Sequence, residues 1–183
     1  MYDAGYVSSS RLYEGSTGRL GMSPASYRRG ASIAYTTVSS PLGRLLVAAT
    51  ERGICAVKIG ASEAELTSDL RAQFPEAQLG PDNPMLNERV GAILRHLAGE
   101  LPHLDLPLDI RATAFQRQVW EHLRAIPYGE TRSYGEVAQM VNNPRASRAV
   151  GSANAENPLP LYFPCHRIIS SNGSLGGYGG GLG

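Results

Sequence analysis

IAYTTV (residues 33–38), SSPLG (39–43), LLVAA (45–49), TERG (50–53) and ICAVKI (54–59) follow one another with no gap longer than a turn. The apolar runs are short and rich in β-branched residues, and the breaks between them carry Ser, Pro and Gly, so they read as strands joined by tight turns. Turns this short cannot house the crossover that a parallel pair needs. The expectation is an antiparallel meander of three strands. Downstream, Ser62 with Glu65 forms the pattern of a capping box and opens a helix through Leu66, Leu70 and Phe74, which Pro75 ends. A second helix is predicted from Met85 to Leu97, with Leu86, Val90, Ile93 and Leu97 on one face, and a short, Pro-interrupted strand from Leu104 to Ile110. Residues 31–110 therefore read as an α/β unit.

The remainder, 111–183, has a helical period. Two more capping boxes, Thr113 with Gln116 and Ser133 with Glu136, start helices at about Ala114–Ala125 and Tyr134–Val141. After Asn142-Asn143-Pro144 a third segment runs from Arg145 to Glu156, and the two short helices around that break read as a helix-turn-helix. In the third segment Ala146, Ala149, Gly151, Ser152 and Ala153 leave Val150 as the one bulky apolar side chain. A face that small either packs closely on another helix or enters a groove.

Composition narrows the classes further. The chain has 183 residues, 42% hydrophobic and 18% charged, enough for one domain or two small ones with a real core. Its Gly and Pro content is below the level of collagen or low-complexity chains. No apolar run reaches membrane-spanning length and the N-terminus lacks a secretory pattern, so a soluble intracellular protein is expected. The net charge of +1 conceals a division: residues 1–30 and 111–183 are net basic, and 31–110 net acidic. All basic residues but Lys58 are Arg, the better partner for phosphates and flat π surfaces.

Cys55 and Cys165 lie far apart, with no CxxC and no Cys/His cluster of zinc spacing, so neither a disulfide scaffold nor a metal site is predicted, and no cofactor. Cys55 falls in an apolar strand and reads as a buried structural thiol. Cys165 follows Asn157-Pro-Leu-Pro-Leu-Tyr-Phe-Pro164, where three prolines forbid an α-helix, so an extended and rigid segment is expected. A thiol of ordinary pKa, about 8.5, is only a few per cent thiolate at pH 7 and needs a base or nearby positive charge to react. His166 and Arg167 are adjacent candidates, although neighbours on a strand point to opposite faces, so a bend or a water would have to connect thiol and imidazole. From these residues alone, an inert Cys beside a structural His and an activated nucleophile both stay open.

The order and spacing of Asn157-Pro-Leu-Pro160, Pro164-Cys-His-Arg167 and Gly173-Ser-Leu-Gly-Gly-Tyr178 resemble the active-site signature of the 6-O-alkylguanine-DNA alkyltransferases, and the resemblance extends from about Ile33 to the last residue. It implies an RNase H-like α/β unit followed by a helix-turn-helix or winged-helix-like unit that binds DNA and holds the active site. The implied function is irreversible, stoichiometric transfer of an alkyl group from the 6-oxygen of guanine in DNA to Cys165, with activity on the 4-oxygen of thymine left open. By the same resemblance His166 is the base acting through a water, Asn157 holds the turn, and Tyr134 rotates the 3′ phosphate and protonates the departing guanine. Arg148 is the finger that fills the space of the flipped nucleotide, with Ala146, Ala149 and Gly151 on the helix in the minor groove. Pro160, Ile168, Tyr178 and Gly179 surround the base. The chemistry calls for such a design, because the 6-oxygen lies in the base stack and the nucleotide must be extruded before a soft nucleophile can reach the alkyl carbon.

Residues 1–30, with Tyr2-Asp-Ala-Gly-Tyr6, Ser8-Ser-Ser-Arg-Leu-Tyr13 and Leu20-Gly-Met-Ser-Pro-Ala-Ser-Tyr-Arg-Arg29, resemble the last helix-turn-helix of an AraC-type domain, the arrangement of the Ada-type bifunctional activator and repair proteins. The implied setting is a monomer on double-stranded DNA carrying alkylated guanine, in a bacterial cytoplasm and associated with the nucleoid. Relatives continue past the Gly-rich loop into a helix with a glutamate, so an active-site domain truncated at Gly183 is expected, with slowed transfer. The alternatives are a non-catalytic module that binds alkylated DNA, a regulator fragment, and a Cys-His hydrolase.

Overall fold

The computed structural model describes residues 30–101 and 104–174, which divide into two compact units, one up to Arg111 and one from Ala112. The helix-turn-helix remnant expected over residues 1–30 falls, but for Gly30, outside the described residues.

The first unit is built on the predicted meander. Strands β1 (Ser32–Ser40), β2 (Gly43–Ala49) and β3 (Ile54–Gly60) pair antiparallel in sequence order. Gly43, at φ 106°, supplies the left-handed residue that closes the β1–β2 hairpin. The sheet has four strands instead of three. After α1 (Glu63–Gln73), β4 (Gln78–Gly80) joins the outer edge of β1 in parallel, giving the order β3-β2-β1-β4. Three residues carry too little periodicity to register as a strand in the sequence. The expected strand at 104–110 is reduced to a single bridge between Leu108 and Ile54, flanked by backbone hydrogen bonds from Ile54 N to Pro107 O and from Asp109 N to Ile54 O. Gly53 permits this approach, since a Cβ there would stand 2.5 Å from the Pro107 carbonyl oxygen. Helix α2 (Pro84–Leu97) begins one residue before its predicted start, with Asn83 as its cap and proline in the first turn, where a missing N–H costs nothing. Leu66 and Leu70 of α1 and Phe74 at its C-cap pack with Ile33, Leu46, Ala48 and Cys55 of the sheet to form the core.

The second unit holds α3 (Ala114–Arg124), β5 (Arg132–Ser133), α4 (Tyr134–Met140), α5 (Ser147–Ala155), a 3-10 turn (Cys165–Arg167) and β6 (Ile168–Ile169). Of the three predicted capping boxes the two in this unit are complete, Thr113 with Gln116 and Ser133 with Glu136, and the third is half-formed, with no return bond from the Glu65 side chain to Ser62 N among the described residues. Ser62 at the head of α1 caps the Glu65 amide. The three helices pack on one another around Val119, Trp120, Leu123, Val137, Ala138 and Val150. The parallel pair β5–β6, with Arg132 opposite Ile168 and Ser133 opposite Ile169, joins the start of α4 to the residues that follow Cys165.

Candidate active site

Cys165 does not sit on an extended segment as expected; it opens a one-turn 3-10 helix. The prolines exclude an α-helix, but Pro164 occupies the N-cap, where its missing N–H is no loss. Its backbone, φ −72° and ψ 76°, together with the 2.7 Å bond from Cys165 N to Phe163 O, makes an inverse γ-turn that bends the chain into the 3-10 turn. The bend separates the neighbours: Cys165 exposes 6% of its surface, His166 is exposed and Arg167 half-buried.

The loop before the thiol is fixed from several sides. Asn157 Nδ2 donates to Phe163 O at 2.7 Å while Asn157 Oδ1 accepts from Leu159 N at 3.0 Å, so one amide spans the turn. The Phe163 ring stacks on Trp120 at 5.5 Å, and Trp120 Nε1 donates to Ala153 O at 2.8 Å. Asn154, buried on α5, directs Nδ2 at Cys165 O, 3.5 Å away. Tyr162 packs edge-on against Phe163 and lies under the guanidinium of Arg124 at 4.4 Å. Sequence reasoning passed over Trp120, Asn154 and Phe163. The available signal was Trp120, whose indole N–H must find an acceptor when buried.

His166 has its pKa lowered, first by partial desolvation and then by the charge of Arg167. The imidazole is therefore neutral at pH 7 and able to accept a proton. Arg167 donates to Ile126 O at 2.7 Å, and its guanidinium lies 5.3 Å from the ring centre of Tyr128.

Helix α5 resolves the alternative left open by its small residues, because the two faces differ. Val150, Ala153 and Asn154 turn inward, and Arg148, Ala149, Ser152 and Ala155 are exposed at helical spacing. Close packing and a low outer face are thus both realised in one helix. Ala146 is the N-cap and half-buried. Gly151 faces Tyr134, whose ring would lie 3.7 Å from a Cβ at that position, an ordinary contact. Tyr134, the first residue of α4, is half-buried, as is Pro160, and Ile168 is buried next to the thiol turn. The structure thus brings Tyr134 and Gly151 into one neighbourhood, and Asn157, Cys165 and Ile168 into one loop. Tyr178 and Gly179 lie outside the described residues. Among the described residues, no group of three His, Cys, Asp or Glu side chains could hold a metal, and no helix is long and apolar enough to cross a membrane.

With this geometry in view, two family models match the chain: the 6-O-methylguanine DNA methyltransferase ribonuclease-like domain over residues 33–110, and the DNA binding domain of the same family over 114–183. The bifunctional transcriptional activator/DNA repair enzyme Ada of Escherichia coli K12 is 43% identical over 185 residues, covering 100% of this chain and 52% of that protein. The chain thus spans about half the length of this relative. A methylated-DNA–protein-cysteine methyltransferase of Mycolicibacterium paratuberculosis is 43% identical over 150 residues, 82% of this chain and 86% of its own. Among solved structures, Mycobacterium tuberculosis OGT in complex with DNA aligns with a TM-score of 0.66 at 39% identity, covering 81% of this chain and 85% of that one.

Proposed function

The chain belongs to the 6-O-methylguanine DNA methyltransferase family, and from that premise we propose that it repairs DNA by moving an alkyl group from the 6-oxygen of guanine to Cys165. The observation that carries the reading is the thiol turn itself: a buried Cys165 held by Asn157 and the Trp120–Phe163 stack, beside an imidazole kept neutral. In the proposed step the thiol proton passes through a water to His166. The sulfur lone pair forms the S–C bond as the bond between alkyl carbon and 6-oxygen breaks. The electron pair of that bond stays on guanine, and the Tyr134 hydroxyl supplies the proton that neutralises it. The thioether has no leaving path, so each chain acts once.

The exposed face of α5 supports entry of that helix into the minor groove, with Ala149 and Ser152 low enough for close approach and Arg148 projecting to replace the stacking of an extruded nucleotide. Pro160, Ile168, Tyr178 and Gly179 would wall the base pocket. The first unit is read as RNase H-like and the second as a helix-turn-helix of winged type. Residues 1–30 are read as part of an AraC-type module, as the full-length match to Ada supports. A monomer on nucleoid DNA completes the proposal.

The test is intact-protein mass spectrometry after incubation with a duplex containing 6-O-methylguanine. One methyl group per chain, mapped to Cys165, is expected. Turnover beyond one equivalent would indicate a hydrolase instead, and tight binding without an adduct would indicate a non-catalytic binding module.

A further inference from the structure

Burying a guanidinium is unfavourable unless an anion or several good acceptors replace the water it loses. Arg89, on α2 in the first unit, exposes 9% of its surface, and among the described residues no carboxylate lies within ion-pair distance of it; the ion pairs there join Arg44 to Glu63, Arg95 to Glu100 and Arg132 to Glu130. Its hydrogen bonds go to two uncharged acceptors, the Thr50 carbonyl oxygen at 3.4 Å, near the limit of a hydrogen bond, and the Met85 sulfur at 3.1 Å. Among the described residues these two contacts are the protein partners of its five N–H donors, and the Nε group, which makes neither, keeps some access to solvent on the cavity side.

The same arginine lines a cavity of about 460 Å³ between the first turn of α2 and the ends of β1 and β2. Ser32, Thr50 and Asn83 contribute polar groups to its wall, and Ala34, Ala49 and Leu86 contribute apolar surface. The positive end of the α2 dipole adds to the field, since the cavity opens beside Pro84 and Met85 at the start of a 14-residue helix. Glu51, exposed on the same wall, opposes an anion. Asp109 does not line the cavity and accepts from the Thr50 hydroxyl.

We propose that this cavity is a binding site for a small phosphorylated ligand, with Arg89 taking two phosphate oxygens through its fork. Phosphate suits the donor set better than a halide because a planar guanidinium matches two oxygens at once. The volume is that of a small-molecule site and leaves room beyond a phosphate group. The site is independent of alkyl transfer, and its residues belong to the first unit alone.

The experiment uses the full chain and two probes, inorganic phosphate and ribose 5-phosphate, against chloride at equal ionic strength. Backbone amide shifts of Thr50, Met85 and Arg89 should move saturably with either probe, and the unfolding midpoint of the first unit should rise by about 3 °C or more between about 1 and about 20 mM ligand. Arg89→Met should abolish both responses and, in phosphate-free buffer, unfold at or above the wild-type midpoint, because it removes an unpaired buried charge. Arg89→Lys should keep the charge but lose at least about tenfold in affinity, because the fork is gone. Tighter binding of ribose 5-phosphate than of phosphate points to an organic phosphate, and equal binding to the free anion. Absence of saturable shifts at Thr50 and Arg89, or Arg89→Met binding as wild type does, overturns the proposal. So does an Arg89→Met chain that is several degrees less stable without phosphate, since the arginine would then be structural. Alkyl transfer to Cys165 measured on the same samples separates failure of this site from failure of the repair reading.

Discussion

The two cysteines are nearly equal in burial, 2% exposed for Cys55 and 6% for Cys165, yet they are built for opposite ends. Cys55 lies inside β3, paired with β2 and covered by α1, and its thiol is pushed up to about 12 by burial first and then by the nearby Asp109 charge. Cys165 opens a bent turn among Pro164, a neutral imidazole and an arginine. If Cys165 is the alkyl acceptor proposed above, burial alone does not separate a structural thiol from a reactive one. The charge and hydrogen-bonding capacity of the neighbours do, and the backbone determines which neighbours those are.

The largest effect that could break this contrast is exchange of the thiols. Cys165→Ser should abolish transfer to a methylated duplex, because a hydroxyl with the same neighbours is far less nucleophilic at neutral pH. Cys55→Ala should leave one equivalent of transfer intact, at a stability loss of about 1 kcal/mol. Peptide mapping of the methyl group checks both, and methyl on Cys55 in either protein would overturn the comparison.

Next in size is the base. His166→Gln should slow single-turnover transfer at pH 7 by about 10²–10⁴-fold. Because desolvation and Arg167 lower the His166 pKa, the imidazole stays neutral further into acid than an ordinary histidine, and transfer should fall only as pH drops through a value below about 6.5. Removing the charge with Arg167→Leu should move that acid limb upward. A limb unchanged in both variants would assign the titration to another group.

Arg148→Ala should slow repair of duplex DNA by the unstacking energy it no longer offsets, a few kcal/mol, and leave the reaction with free benzylguanine unchanged. Equal losses on both substrates would mean that Arg148 supports the fold. The exposed position of Arg148, whose carbonyl oxygen accepts from Ser152 Oγ, argues for the unequal outcome.

How far such contrasts can be read from sequence depends on the range of the interactions behind them. The meander, the capping boxes at Thr113 and Ser133 and the apolar face of α2 rest on residues a few positions apart, and all stand in the structure. The β4 strand, the Leu108 bridge and the β5–β6 pair depend on partners 46, 54 and 36 residues away, with too few residues each to leave a period. At the site, the Pro-Cys-His-Arg run marked the position of the thiol. Its conformation differs from the extended one expected, because proline excludes an α-helix but is compatible with the N-cap of a 3-10 turn. The support from Trp120 to Ala153 spans 33 positions and two helices, so no local pattern announces it.

That support gives a smaller test. Trp120→Phe keeps an aromatic ring against Phe163 but removes the donor to the buried Ala153 carbonyl, for an expected loss of about 1–3 kcal/mol. The readout is the unfolding free energy of the chain, compared with transfer to free benzylguanine at pH 7. Stability should drop more than the rate, because Asn157 still holds the Phe163 carbonyl, and through it the turn.

The smallest effect is expected at Asp109, and it bears directly on why Cys55 is silent. Asp109 exposes 1% of its surface, one carboxylate oxygen accepts from the Thr50 hydroxyl, and the other, Oδ1, is buried without a hydrogen-bond partner among the described residues. Burial raises its pKa above the unfolded value, outweighing the Thr50 bond and the Arg52 charge, which lower it. A carboxyl raised on folding binds its proton more tightly in the native state, so its contribution to stability is present at low pH and is lost as pH rises through the folded pKa. Asp109→Asn keeps an acceptor for Thr50 and has no charge to desolvate. Its stability at pH 7 should lie within about 1 kcal/mol of wild type, and the loss of stability on going from acid to neutral pH should be smaller. Urea unfolding of both proteins across that range measures it. The substitution also removes the second cause of the high Cys55 pKa and leaves the first, burial, in place. Cys55 should therefore stay unreactive toward iodoacetamide in the native protein at pH 7, and labelling of Cys55 in Asp109→Asn but not in wild type would show that charge, and not burial, keeps this thiol inert.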